Sequence, residues 1–100
     1  MIKILLCCAS GMSTSLLVEK MKRAAAKQNV EAEIWAVNDE NTDLKDVEAD
    51  IIFLGPQVRY AKDEIQETVG SIPVYMIGMK DYGMMNGESV LEQALEYLGK

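Results

Sequence analysis

Short apolar runs alternate along the chain with stretches in which apolar residues recur every three or four positions. Residues 2–7 form an almost continuous apolar run, which is typical of a strand buried on both faces. A turn rich in small residues follows. From Ser13 or Thr14 onward, Leu17 and Met21 stand at helical spacing, and either hydroxyl is placed to cap the first turn. The beginning of the chain therefore predicts a strand, a loop and a helix.

The same order of elements recurs further along. Residues 30–37 alternate between polar and apolar before they end apolar, as a strand at a sheet edge would. The acidic residues 38–50 are weakly periodic and predict no more than a short helix or a turn. Residues 51–54 are fully apolar and predict a short buried strand, and residues 61 to about 69 carry apolar positions at helical spacing.

The last part of the chain predicts one more strand and one more helix. Residues 72–77 read as a strand, but Pro73 lacks the amide proton that a central ladder position would use, so this strand belongs at an edge. Val90, Leu91 and Leu98 lie on one stripe of a C-terminal helix that Asn86 is placed to cap.

Strands that alternate with helices predict a parallel sheet with right-handed crossovers. Two strands have the pattern of central strands and two that of edges, which the order 2-1-3-4 satisfies. We therefore expect an α/β fold, a four-stranded parallel sheet doubly wound with helices on both faces. That order creates a topological switch point beside the first strand, where ligands bind in such sheets. A site is expected in the loop that begins at Cys8.

Length and composition limit the possible classes of protein. A chain of 100 residues with 49% apolar residues fits one domain, residues 1–100, around one core. Its apolar runs are too short for a signal peptide or a membrane span. The two cysteines are adjacent and cannot join distant segments, so we expect reduced thiols and a cytoplasmic location.

Charge and the missing histidine exclude further functions. The net charge of -6 disfavours nucleic acid and anionic lipid as partners. The chain contains no histidine, and two adjacent cysteines cannot complete a tetrahedral site, so we expect neither a metal nor another cofactor.

The segment that follows the first strand has the composition of an anion site. Between Cys8 and Ser15 it contains three hydroxyls, one glycine and no charged side chain. Backbone amides curled at the start of a helix bind phosphate, and Gly11 permits the tight curl that such a loop needs. The same field is expected to lower the pKa of the Cys8 thiol and make it a nucleophile. The predicted phosphate-binding residues after catalytic Cys8 are Ala9, Ser10, Gly11, Met12, Ser13, Thr14 and Ser15.

Each of these residues also has an ordinary structural interpretation. Most cysteines without a disulfide are small core residues, and we assign Cys7, inside the apolar strand, to the core. Cys8 stands where the strand gives way to the polar loop, and we assign it to chemistry. The hydroxyls from Ser13 to Ser15 are typical helix caps, a role that is compatible with phosphate binding because both use the same amides.

Two other functions fit a similar loop. A cysteine-dependent phosphatase or an arsenate reductase-like enzyme would need an arginine a few residues after the cysteine to stabilise the hydrolytic transition state, and Thr14 stands there instead. The missing arginine favours a protein that holds the phosphoryl group. A flavin-binding module is the third hypothesis, because such a loop can also bind the phosphate of a flavin.

The run from Leu6 to Val18, with its Cys-Ala-Ser-Gly-Met-Ser-Thr-Ser core, resembles the phosphorylation loop of enzyme IIB components of the bacterial phosphoenolpyruvate-dependent sugar phosphotransferase system (PTS), in the lactose/cellobiose/chitobiose family. The similarity continues in Leu54-Gly-Pro-Gln57 and in Tyr82-Gly83, and it covers essentially the full chain.

This resemblance implies a pathway. A phosphohistidine of a IIA component would donate its phosphoryl group to Cys8, and Cys8 would pass it to a disaccharide bound by the membrane IIC component. It also suggests Gln57 as a residue at the rim of the site, where an ordinary turn residue is the equally weighted alternative. The sugar itself is not specified, because it is bound by the membrane partner.

Overall fold

The computed structural model describes residues 1–8, 14–38, 48–55 and 61–99, and it gives only the backbone of Cys8, Thr14 and Asn38. The elements in chain order are β1 (Ile2–Cys8), α1 (Thr14–Lys27), β2 (Ala32–Asn38), β3 (Ile51–Leu54), α2 (Lys62–Val69), β4 (Val74–Met76), α3 (Met79–Gly83) and α4 (Gly87–Tyr97). The four strands form one parallel sheet in the order β2-β1-β3-β4. The predicted order and the predicted edge strands are confirmed.

Helices cover both faces of this sheet, as predicted. Ile4 and Leu6 of β1 point to one face, where α1 and α4 pack. Leu5 and Cys7 point to the other face and pack beneath α2, beside Ile65. Residues of β1 are buried on both sides, which is the physical reason for the unbroken apolar run in the sequence.

The second strand begins two residues later than predicted because α1 uses the intervening backbone to end. Asn29 adopts a left-handed conformation with φ of 57°. Its amide donates to the carbonyl of Ala26 at 3.2 Å, and the amide of Val30 donates to the carbonyl of Ala25 at 2.8 Å. This pair of bonds is a Schellman cap, and it makes Val30 part of the helix end instead of the strand.

The fourth strand is shorter than predicted at both ends, and Pro73 contributes to the ladder only as an acceptor. The amide of Ile52 donates to the Pro73 carbonyl at 3.0 Å. The carbonyl of Ile72 is taken instead by the side chain of Gln66, at 2.7 Å. The edge position of β4 matches what the missing amide proton of proline requires.

The C-terminal helix α4 has the predicted cap, since Asn86 Oδ1 accepts a hydrogen bond from the Ser89 amide at 3.1 Å. Helix α3 was not predicted. Its five residues are too few to show a helical period, and Tyr82 in it is buried in the core formed by α1, α4 and the sheet. The predicted short helix or turn at residues 38–50 falls mostly outside the described residues, which exclude 39–47.

The side chain of Gln66 holds the connection between α2 and β4. Its Nε2 donates to the carbonyls of Gly70 and Ile72, at 3.0 and 2.7 Å, and its Oε1 accepts from the Val74 amide at 3.2 Å. Both ends of the amide are therefore used, which fixes the start of the edge strand.

We expect Gln66→Ala to lower the free energy of unfolding by about 2 kcal/mol, because partly buried backbone groups lose their partners. Denaturant unfolding followed by circular dichroism measures this loss. Glu67→Ala is the matched control, since Glu67 is the exposed neighbour in the same helix. Equal stabilities of the two variants would contradict the structural role of Gln66.

Candidate functional site

The carboxyl ends of the central strands lie at one edge of the sheet. Cys8, the last residue of β1, pairs in register with Asn38 at the end of β2. On its other side, the amide of Gly55 donates to the Cys7 carbonyl at 2.9 Å, and the amide of Ile77 donates to the Leu54 carbonyl at 2.9 Å. The chain thus leaves β1 and β3 at the same level on adjacent strands. This is the edge at which the switch point was predicted.

Helix α1 begins at Thr14, six residues after Cys8. The first amides of a helix have no partner within the helix, and the helix dipole gives them a partial positive charge. No acidic residue stands in the first turn of α1 to offset that charge. Ser15 and Leu16 in this turn are exposed, and Leu16 retains 45% of its accessible surface. The amino terminus of α1 is therefore suited to a bound anion.

The two cysteines occupy different environments along the same strand. The side chain of Cys7 is fully buried, in the cluster with Leu5, Ile52 and Ala61 under α2. The prediction that Cys7 is a core residue is confirmed. Cys8 is the next residue, at the end of the strand, where the connection to α1 begins.

The structure describes the predicted site residues only in part. Cys8, Thr14 and Ser15 lie at the end of β1 and the start of α1. Six predicted residues lie outside the described residues: Ala9, Ser10, Gly11, Met12, Ser13 and Gln57. Tyr82, from the segment after the fourth strand, is buried in α3 and contributes its ring to the core.

One charged group was missed by the sequence analysis. Lys20, Arg23 and Lys27 of α1 line a cleft against the connection between α3 and α4. Their spacing of three and four residues places them on one helix face, and this pattern was a signal available in the sequence.

Two features are absent from the part of the chain that the structure describes. It holds no group of three or more acidic, cysteine or histidine residues able to bind a metal. None of its helices is both long and apolar enough to cross a membrane.

Residues 3–93 of the chain match the sequence profile of the family described as "PTS system, Lactose/Cellobiose specific IIB subunit". The chain belongs to this IIB family. It is 46% identical over 98 residues to the oligo-beta-mannoside-specific EIIB component of Bacillus subtilis strain 168, covering 96% of this chain and 95% of that protein. The galactose-specific and cellobiose-specific EIIB components of two Lactococcus lactis strains, MG1363 and IL1403, are each 42% identical, over 91% of both chains.

Solved structures agree with this assignment. The solution structure of the cellobiose-specific IIB component of Borrelia burgdorferi is similar to the IIB chain with a TM-score of 0.77 and 36% identity, over 98% of this chain and 92% of that one. The lactose-specific IIB domain of Streptococcus pneumoniae has the same TM-score at 22% identity, over 95% of each chain, and shows the shared fold. The IIB chain is thus a component of a sugar phosphotransferase system, as the resemblance implied.

Proposed function

We propose that the IIB chain carries a phosphoryl group on Cys8 between a IIA component and a sugar bound by a membrane IIC component. One observation carries this proposal. Cys8 ends the central strand β1 at the carboxyl edge, six residues before the amino terminus of α1, while the neighbouring Cys7 is buried under α2. A partner that reaches this edge meets Cys8 and the positive end of a helix together.

The proposed reaction has two transfer steps. In the first, the Cys8 thiolate attacks phosphorus, an S–P bond forms, and the P–N bond of the donor phosphohistidine breaks with its electron pair returning to the imidazole. In the second, a sugar hydroxyl oxygen attacks phosphorus, an O–P bond forms, the S–P bond breaks, and the hydroxyl proton passes to a base of the sugar-binding component. The product is a 6-phosphorylated sugar.

The loop is proposed to bind the three phosphoryl oxygens. Phosphoryl transfer asks the protein mainly for positioning and for stabilisation of spread negative charge. Amides from Ala9 to Ser15 are the proposed donors, with hydroxyls of Ser13, Thr14 or Ser15 adding contacts. Gln57 is proposed at the rim, because Gly55, two residues before it, lies beside the end of β1. Without an arginine in the loop, hydrolysis of the phosphocysteine is expected to be slow.

The sugar is proposed to be a disaccharide of the cellobiose, lactose or chitobiose type. Relatives named for oligo-beta-mannoside, galactose and cellobiose lie within 42–46% identity of this chain. Such similar identities across different sugars support a scheme in which the sugar is recognised by IIC and the IIB chain supplies only the phosphoryl group.

Intact mass spectrometry tests the proposed function. After incubation with phosphoenolpyruvate, the general PTS components and a IIA component, we expect the protein to gain the mass of one phosphoryl group. It should lose that mass when IIC membranes and a cellobiose-type sugar are added. The phosphatase or arsenate reductase alternative predicts steady turnover of p-nitrophenyl phosphate by the pure protein. Such turnover without any mass gain from the IIA donor would overturn the carrier proposal.

A further inference from the structure

In the part of the IIB chain that the structure describes, a basic cleft lies between α1 and the start of α4. We use this name for the groove of about 380 Å³ lined by Lys20, Arg23 and Lys27 on one side and by residues 84–88 on the other. Its lining includes a single carboxylate, that of Glu88, and the exposed thioether of Met84. The amino terminus of α4 opens into the same groove, where Glu88 in its first turn offsets the partial positive charge of the helix end. The cleft therefore combines cationic walls with an apolar edge.

The cations of the basic cleft form no ion pair with any other residue that the structure describes. The chain as a whole carries a net charge of -6, yet four of its ten basic residues lie on α1. Among the residues that the structure describes, the only ion pair is that between Lys3 and Glu48, so none of the three cleft cations has an acidic partner within 4.0 Å. A concentration of unpaired positive charge in an acidic protein produces a local field that attracts negative groups.

The basic cleft lies on the same helix, α1, whose first turn belongs to the candidate site. Leu16, Lys20, Arg23 and Lys27 form one stripe along α1, at spacings of three and four residues. Leu16 lies exposed in the first turn of α1. Lys20 follows Thr14 by six residues, which is about 9 Å along the helix axis. A typical interface of about 800 Å² per partner is wide enough to include both Cys8 and the Lys20 end of the cleft.

Charge distinguishes the two partners of the proposed function. Cytoplasmic segments of membrane proteins carry an excess of lysine and arginine, and these would be repelled by the basic cleft. The remaining acidic surface of the IIB chain suits such a partner better. A soluble phosphoryl donor has no such constraint and can present carboxylates to the cleft.

We infer that the basic cleft docks an acidic segment of the phosphoryl-donating IIA component. This inference rests on the proposed function. The cations steer the donor towards the loop at Cys8 and hold it in register, and they take no part in the transfer chemistry. Their loss is therefore expected to change the affinity for the donor and its association rate, with the rate of transfer within the complex preserved.

The test is the charge-reversed variant Lys20→Glu/Arg23→Glu, assayed for phosphorylation by IIA at varied concentration. We expect KM for IIA to rise about fivefold or more at low salt, kcat to stay within about twofold, and the difference from wild type to shrink as salt is raised. The milder variant Arg23→Gln is expected to show a smaller rise of the same kind. Thermal unfolding of each variant establishes that it is folded.

Lys22→Glu is the matched control, because Lys22 lies on the same helix, is also exposed and does not line the cleft. An equal rise in KM for Lys22→Glu would overturn the inference in favour of a general effect of net charge. So would an unchanged KM in the double variant, or a raised KM for the IIC component alone. Failure of the wild-type protein to accept phosphate would instead contradict the proposed function, so the two failures are distinguishable.

Discussion

The Cys8→Ser variant is expected to lose phosphoryl acceptance completely, whereas Cys7→Ser is expected to keep it. A serine hydroxyl is almost fully protonated at neutral pH, and the loop contains no general base to activate it, so the nucleophile is lost. Cys7 is fully buried under α2, where neither a donor nor a sugar can reach its sulfur. The measurement is intact mass after incubation with phosphoenolpyruvate, the general components and IIA.

The order of the two substitutions is reversed for stability, where Cys7→Ser is expected to have the larger effect. Cys7→Ser places a hydroxyl among apolar side chains and should cost about 1–3 kcal/mol of unfolding free energy. Cys7→Ala, which adds no polar group, is the second variant if Cys7→Ser does not fold. A gain of phosphoryl mass that persists in Cys8→Ser and disappears in Cys7→Ala would assign the chemistry to Cys7 and refute the proposed site.

The sheet could be predicted from sequence because each strand has a local cause. The apolar run of β1 reports burial on both faces, and the lack of an amide proton in Pro73 marks an edge strand. Asn86 was recognised as a cap because its side chain acts on a neighbour three residues away. Features of this kind depend on residues that are close together in the sequence, so they can be predicted without knowledge of the fold.

Features that depend on distant segments were not predictable in the same way. In the sequence, Gln66 has the pattern of an ordinary polar helix residue. Its side chain can donate to Ile72 and accept from Val74 only because the chain folds back beside α2. Helix α3 is held by burial of Tyr82 in a core made by α1, α4 and the sheet. The edge of the sheet at which the candidate site lies followed from topology, since parallel strands bring their carboxyl ends to one edge.

Gly87 is the clearest case of such a long-range constraint, and Gly87→Ala is expected to be strongly destabilising. An ideal Cβ at this position would lie 2.5 Å from the backbone nitrogen of Met21 and 2.6 Å from the carbonyl carbon of Lys20. These are backbone atoms in the middle of α1, so no side-chain rotation relieves the clash. The first turn of α4 must move away from α1, and the buried contacts of Val90 and Leu91 move with it.

The expected cost is about 3 kcal/mol or more, the upper range for overpacking, against a total stability of about 5–15 kcal/mol for a domain of this kind. Denaturant unfolding measures it. Gly83→Ala is the matched control, because Gly83 also lies in a helix, has no atom within 4 Å of an added Cβ and does not require positive φ. That variant should be neutral or slightly more stable, since alanine reduces the freedom of the unfolded chain. Similar stabilities for the two variants would mean that α4 can separate from α1 at little cost, and α4 could then not hold one wall of the basic cleft against α1.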